Sequence, residues 1–210
     1  MFPVILAKFI YMRKLLLHLL ITLLLAHLFA DFPLQTNALA KLKKASLTGV
    51  FIHVLVYVLI TALVIREPAR YWALIGGLGI VHFLIDGLKT RYQQSLETFY
   101  FVIDQCLHFV SMVIATYLAM VYYPELPQSI LPYDIALVAL CCAFILAFMV
   151  FCWVWVNSLQ EEQVKRHCLL QWAKHQMLEL EQRIGLLLIG FVFAAPTYQW
   201  LTNILHLLGK

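Results

Sequence analysis

His82-Phe83-Leu84-Ile85-Asp86-Gly87-Leu88-Lys89 is a polar ladder set in an otherwise apolar run. Its histidine, the aspartate four residues on and the lysine three further fall on one face of a helix. Imidazole and carboxylate are costly in hydrocarbon, so their presence in such a run marks a site. The same His-x-x-x-Asp recurs at His27-Leu28-Phe29-Ala30-Asp31, and the spacing returns reversed at Asp104-Gln105-Cys106-Leu107-His108. Nearly everything around these three ladders is apolar scaffold, and that decides the fold class.

Of 210 residues, 63% are hydrophobic and only 12% charged, with a mean hydropathy of +0.87. Soluble domains carry about 25% charged residues. The composition predicts an all-α, polytopic transmembrane helix bundle whose first partner is the lipid bilayer. The net charge of +4 is small and reads as loop anchoring, so no nucleic-acid partner is expected. None of the five cysteines forms a Cys-x-x-Cys pair, and they read as small buried hydrophobes.

Taken in order, the apolar runs predict about six membrane helices, near 13–32, 47–65, 72–88, 99–122, 134–156 and 184–208. The start resembles a signal peptide, but Leu28 sits where a cleavage site wants a small residue, so an uncleaved helix is expected. Lys41, Lys43 and Lys44 are assigned to a polar loop. Residues 157–183 are rich in Glu, Gln, Lys and Arg, with Val164, Cys168, Trp172, Leu180 and Ile184 near helical spacing. They predict an amphipathic cytoplasmic helix before the last span, which also serves as the surface for a membrane or cytoplasmic protein partner. The chain divides into a His/Asp-rich four-helix core, 1–122, and a C-terminal part, 123–210. The odd-numbered loops hold nine Lys and Arg residues against six on the other side, which places those loops in the cytoplasm.

His27 and His82 are 55 residues apart, as are Asp31 and Asp86, and His53 and His108. Each half reads as His-x-x-x-Asp at a helix end, a polar loop, then a histidine near the next helix start, which suggests a duplicated hairpin. In an up-and-down bundle His27, Asp31, His53, His82, Asp86, Asp104 and His108 share one layer at the cytoplasmic face. These seven are the expected metal ligands. Gln35, Lys89 and Gln105 stand beside them, expected to orient the ligands or to hold a substrate. His18 falls on another face of its helix, and His167, His175 and His206 lack a paired carboxylate; these four are set aside.

A histidine and a carboxylate one turn apart can ligate one ion, or the carboxylate can orient the histidine. That donor set suits zinc, manganese or iron, and such an ion can activate water. No Ser-His-Asp nucleophile motif, phosphate loop or His-Glu-x-x-His motif is present. Three readings stay open. One is a metal-dependent membrane hydrolase acting on a lipid-like substrate. Another is a proton- or ion-coupled transporter component, and the third a non-catalytic, partner-binding membrane protein.

The set His27-x-x-x-Asp31 with Gln35, His53, His82-x-x-x-Asp86-x-x-Lys89 and Asp104-Gln105-x-x-His108 resembles a bacterial membrane family known as domain of unknown function 3307. The resemblance covers about the first 120 residues. It implies a multi-pass protein of the bacterial inner membrane and supplies no activity.

Overall fold

The computed structural model describes residues 2–92 and 97–208, with side chains described for residues 6, 10–91 and 98–194. His206 of the sequence reading therefore lies outside the described side chains. The chain folds as helices α1 (Phe2–Asp31), α2 (Asn37–Ala45), α3 (Leu47–Val64), α4 (Trp72–Tyr92), α5 (Glu97–Tyr122), α6 (Tyr133–Ser158), α7 (Glu161–Lys165) and α8 (Cys168–Leu208). A 3-10 turn, Pro68–Tyr71, leads into α4.

Among the described residues five helices are long and apolar enough to cross a bilayer, lying in α1, α3, α4, α5 and α6. Helix α1 is the axle. Two thirds of its span is buried (67%), against 28–44% for the others, because α3, α5 and α6 all pack on it. Its core is a run of leucines and small residues, from Leu19 to Ala30. The outward faces carry large exposed apolar side chains such as Leu59, Phe109, Ile145 and Phe148. A belt of this extent would be an aggregation liability in water and is the surface expected against lipid.

Two expectations from the sequence are corrected. The lysine segment is not a loop. Thr36 caps helix α2 by accepting a hydrogen bond from Leu39 N, and Ser46 both ends α2 and caps α3 through Gly49 N at 3.1 Å. The two helices meet so closely that a Cβ on Gly49 would strike the Leu42 carbonyl. Since backbone rather than a flexible side chain blocks it, Gly49→Ala is expected to cost about 1–3 kcal/mol, read as a lower thermal midpoint in detergent.

The second correction concerns the C-terminal region. The polar segment is split: Glu161–Lys165 forms the short α7, and from Cys168 on the polar residues are continuous with the last apolar segment in the 41-residue α8. The face it turns to the bundle is Ala173, Met177, Glu181, Gly185 and Val192, packed along α6. Of the stripe read from sequence, only Val164 is buried, and Cys168, Trp172, Leu180 and Ile184 are exposed. The inward face is hidden in the sequence because it is built from small residues and one acid. Gly185 is where α8 touches the turn after α1, since a Cβ there would meet the ring of Pro33.

The two ends of the bundle differ. At one end Arg66 N donates to Gln128 O and Ile130 N to Val64 O, which staples the two connections together. At the other end α2 fills the gap between α1 and α3, and the ends of α1, α4 and α6 meet the starts of α3, α5 and α8. The polar layer lies at this second end.

Candidate functional site: a buried His–Asp–Lys cluster

The final turns of α1 supply His27 and Asp31. Helix α3 supplies His53 from its second turn, α4 supplies His82 and Asp86, and α5 supplies Asp104 and His108. All seven are buried, none more than 6% exposed. The structure brings every one of them into a single cluster.

Its centre is a meeting of two imidazoles and two carboxylates. His53 Nε2 lies 3.1 Å from Asp31 Oδ1, 3.1 Å from His82 Nε2 and 3.5 Å from Asp86 Oδ2. His82 Nε2 lies 3.4 Å from Asp31 Oδ1 and 3.2 Å from Asp86 Oδ2. Two Nε2 atoms at this distance need a proton between them or a cation that both lone pairs face. Tyr57, one turn beyond His53, stacks on the His82 ring at 4.5 Å and fixes its plane.

A second focus adjoins it. His108 Nε2 faces Asp104 Oδ1 at 3.5 Å and Asp86 Oδ1 at 3.8 Å, and none of the three atoms has a hydrogen-bond partner. Among the described residues, sets of three donors whose ligand atoms all lie within 4.8 Å of one another include Asp31, His53 and His82; Asp31, Asp104 and His108; and His27, His82 and His108. Seven donors exceed what one tetrahedral ion takes, so the remainder must orient or balance the ligands.

The offset of 55 residues has a spatial counterpart. His53 faces Asp31 and His108 faces Asp86, so each hairpin's second histidine meets its own aspartate. Thr61 and Thr116 share the offset but take no part in the cluster. Each hydroxyl donates to the carbonyl four residues back, at 2.8 and 2.9 Å.

The polar neighbours named from sequence hold the cluster. Gln105 donates to Asp31 Oδ2 and to Asp104 Oδ2, and its Oε1 accepts from His27 Nε2 at 3.3 Å. Lys89 donates to Asp104 Oδ2 at 2.7 Å. Gln35 does not touch the ligands. Its Oε1 accepts from Lys43 Nζ at 3.3 Å. His18 is apart, about 13 Å up α1 by helical rise, with its ring edge-on to Tyr133.

Lys43 is the residue that reasoning from sequence missed. Helix α2 turns it inward, 8% exposed, with its ammonium 2.8 Å from Asp86 Oδ2. Burial works against its charged form, but Asp86, Asp31 and Asp104 together outweigh it and hold its pKa above the ordinary lysine range. Thr36 as a helix cap was the available signal. Three aspartates face two lysines, Lys43 and Lys89, so one further positive charge, carried by a protonated imidazole or by a bound cation, balances the cluster.

A cavity of about 530 Å³ opens beside it. Asp31, Asp104, Gln105, Lys43 and Lys89 form its inner wall, and exposed Asn37 and Lys41 its rim. Its far wall includes Glu181 of α8, buried with neither carboxyl oxygen partnered. Burial pushes this carboxyl up to about 7. A free glutamate ionises near 4.3, so the folded state holds the proton more tightly than the unfolded chain. Its contribution to stability is full below about pH 4 and is lost as pH rises through 7. Glu181→Gln removes that loss. The variant is expected to match the parent near pH 4.5 and to exceed it at pH 8 by about 1 kcal/mol once cavity water is allowed for. Thermal midpoints at the two pH values read this as a gap of ~2–4 °C that opens only at the higher pH.

No curated protein and no solved structure matches the chain. A family model matches residues 19–137, a span that holds the seven His and Asp residues, Lys43 and Lys89, but not Glu181. The match covers more than half of the chain, and the protein therefore belongs to the family described as protein of unknown function (DUF3307).

Proposed function

We propose that this protein is a metal-dependent hydrolase of the bacterial inner membrane, with its centre at the cytoplasmic face. One observation carries the reading. Asp31 Oδ1, His53 Nε2 and His82 Nε2 lie 3.1, 3.1 and 3.4 Å from one another, and Asp86 Oδ2 lies 3.5 and 3.2 Å from the two imidazoles. A tetrahedral zinc ion with ligands at about 2.0–2.1 Å sets its ligand atoms about 3.3–3.4 Å apart. Zinc fits this donor set best, and manganese or iron are accommodated by the same imidazoles and carboxylates.

Within this reading Gln105 orients Asp31 and His27, and Tyr57 orients His82. Lys43 and Lys89 hold Asp86 and Asp104 ionised. A bound ion supplies Lewis acidity and an acidified water. The cavity supports a hydrolase over a transporter, because it gives a substrate access to Asp31 and Asp104 from one side. Beyond the cluster the described core of α1, α3, α4 and α5 is apolar, with Leu23, Val64, Ile75 and Ala119 across its depth. Its buried threonines, Thr22, Thr61 and Thr116, donate to carbonyls of their own helices.

The test is release of water-soluble product from bacterial lipid extract by purified protein. Activity is expected to vanish with chelator, return with zinc or manganese, and be absent in Asp86→Asn. Turnover that survives complete metal removal would overturn the reading.

A further inference from the structure

The cavity beside the cluster has two unlike walls. Helix α2 contributes Lys41, Lys43 and Lys44, and α4 contributes Lys89. The opposite wall is apolar, with Phe101 of α5, Val150, Trp153 and Val154 of α6 and Leu178 of α8. Trp153 is held in place by donating its indole N–H to Lys174 O at 3.2 Å. The same far wall carries Glu181, with 1% of its surface exposed and both oxygens unpartnered.

We propose that this cavity binds a phosphate-bearing lipid, with the head group among the lysines and the tail along the Trp153 wall. The inference rests on the hydrolase reading in one respect, that the bound lipid is the substrate of the cluster. Three features point to this class of ligand. Four lysines on two helices approach the space from different directions, which suits an anion with several acceptor oxygens more than a planar two-oxygen carboxylate. Basic pockets of this kind, set between membrane helices at the cytoplasmic surface, are where phosphate head groups lodge. The apolar wall has no reason to line a site for a purely aqueous anion.

Glu181 gives the third feature. A buried carboxyl with neither oxygen partnered calls for a partner, and a ligand in this cavity can supply one. Because burial raises its affinity for a proton, it is available as a donor to a phosphate oxygen, a contact an ionised carboxylate would refuse. Lys43 and Lys89 remain on Asp86 and Asp104, and the exposed Lys41 at the rim is the lysine a head group meets first.

Calorimetric titration of the full chain in neutral maltoside detergent tests the proposal. The probes are dihexanoyl phosphatidic acid, inorganic phosphate and an uncharged hexyl glucoside. The phosphatidic acid is expected to bind at least tenfold more tightly than either of the others. Lys41→Glu with Lys44→Glu should weaken it at least tenfold, as should Glu181→Leu, whereas Glu181→Gln, which keeps a donor, should stay within threefold. Trp153→Ala should weaken the lipid and leave inorganic phosphate unchanged. Equal binding of inorganic phosphate and lipid would overturn the lipid assignment, and binding indifferent to the lysine pair would overturn the site.

Metal content is measured on the same samples. Metal bound without lipid binding sinks this inference and leaves the hydrolase reading standing. Lipid bound by a protein that takes up no metal does the reverse. His82→Ala, which removes a ligand far from the lysine rim, should lose metal and bind lipid as before.

Discussion

Asp86→Asn is expected to lower the affinity for zinc by more than ~100-fold, the upper end of what loss of a supporting group alone costs. Asparagine keeps the shape of the side chain and removes its charge, so the effect isolates the carboxylate. His82→Ala should do the same, since His82 Nε2 lies within 3.4 Å of His53, Asp31 and Asp86. Gln105→Leu should fall between, losing ~10–100-fold, because it unhooks Asp31 and His27 without removing a ligand. His18→Ala should change nothing, its ring being occupied with Tyr133. Affinity should drop steeply with acid, since each ligand must shed its proton to bind. Inductively coupled plasma mass spectrometry on dialysed protein reads all four variants. Equal metal in Asp86→Asn and parent, or equal loss in His18→Ala, would remove the centre from this cluster.

The pattern that made the site legible was spacing within helices. His27 with Asp31, His82 with Asp86 and Asp104 with His108 are local pairs, and a period of four survives any arrangement of the bundle. The shared layer followed from topology, because consecutive membrane helices must alternate direction. What stayed hidden depended on which way a short or weakly patterned helix turned. Lys43 belongs to a nine-residue helix whose three lysines looked like a solvated loop. One of the three points inward, and only contact with α3 decides which. Glu181 was hidden differently. Its face of α8 is small and polar, so the apolar stripe of Trp172, Leu180 and Ile184 announced the wrong side, the one left exposed. In a bilayer the outward face of a helix is as apolar as the inward one, and a hydrophobic stripe loses its meaning as a pointer to the core. The single long helix α8 was hidden for a related reason. The continuity of α8 through its polar half is fixed by packing on α6 and on Pro33, which no property of its own residues declares.

Lys43→Met is the change expected to cost most in stability, about 3–5 kcal/mol, because it leaves the Asp86 carboxylate buried without its cation. The two side chains are 9% and 0% exposed, with 2.8 Å between ammonium and carboxylate. Lys89→Met breaks a slightly shorter pair, 2.7 Å, yet Lys89 is 19% exposed at the cavity, where water can take over part of its role for Asp104. That variant should cost only about 1 kcal/mol. Pairing Lys43→Met with Asp86→Leu should restore most of the loss, since an apolar pair of similar volume carries no desolvation cost. The coupling energy from the cycle should be about 2–3 kcal/mol. The cycle also separates folding from chemistry, because the double variant should be stable and yet bind no metal. Added zinc should rescue Lys43→Met alone, as a divalent ion at Asp86 restores the missing positive charge and stabilises by mass action. It should do nothing for the double variant. Thermal midpoints with zinc and with chelator measure both. Should Lys43→Met prove no worse than Lys89→Met, and zinc no help to it, Lys43 would be an ordinary interfacial lysine and the charge balance of the cluster would have to be drawn again.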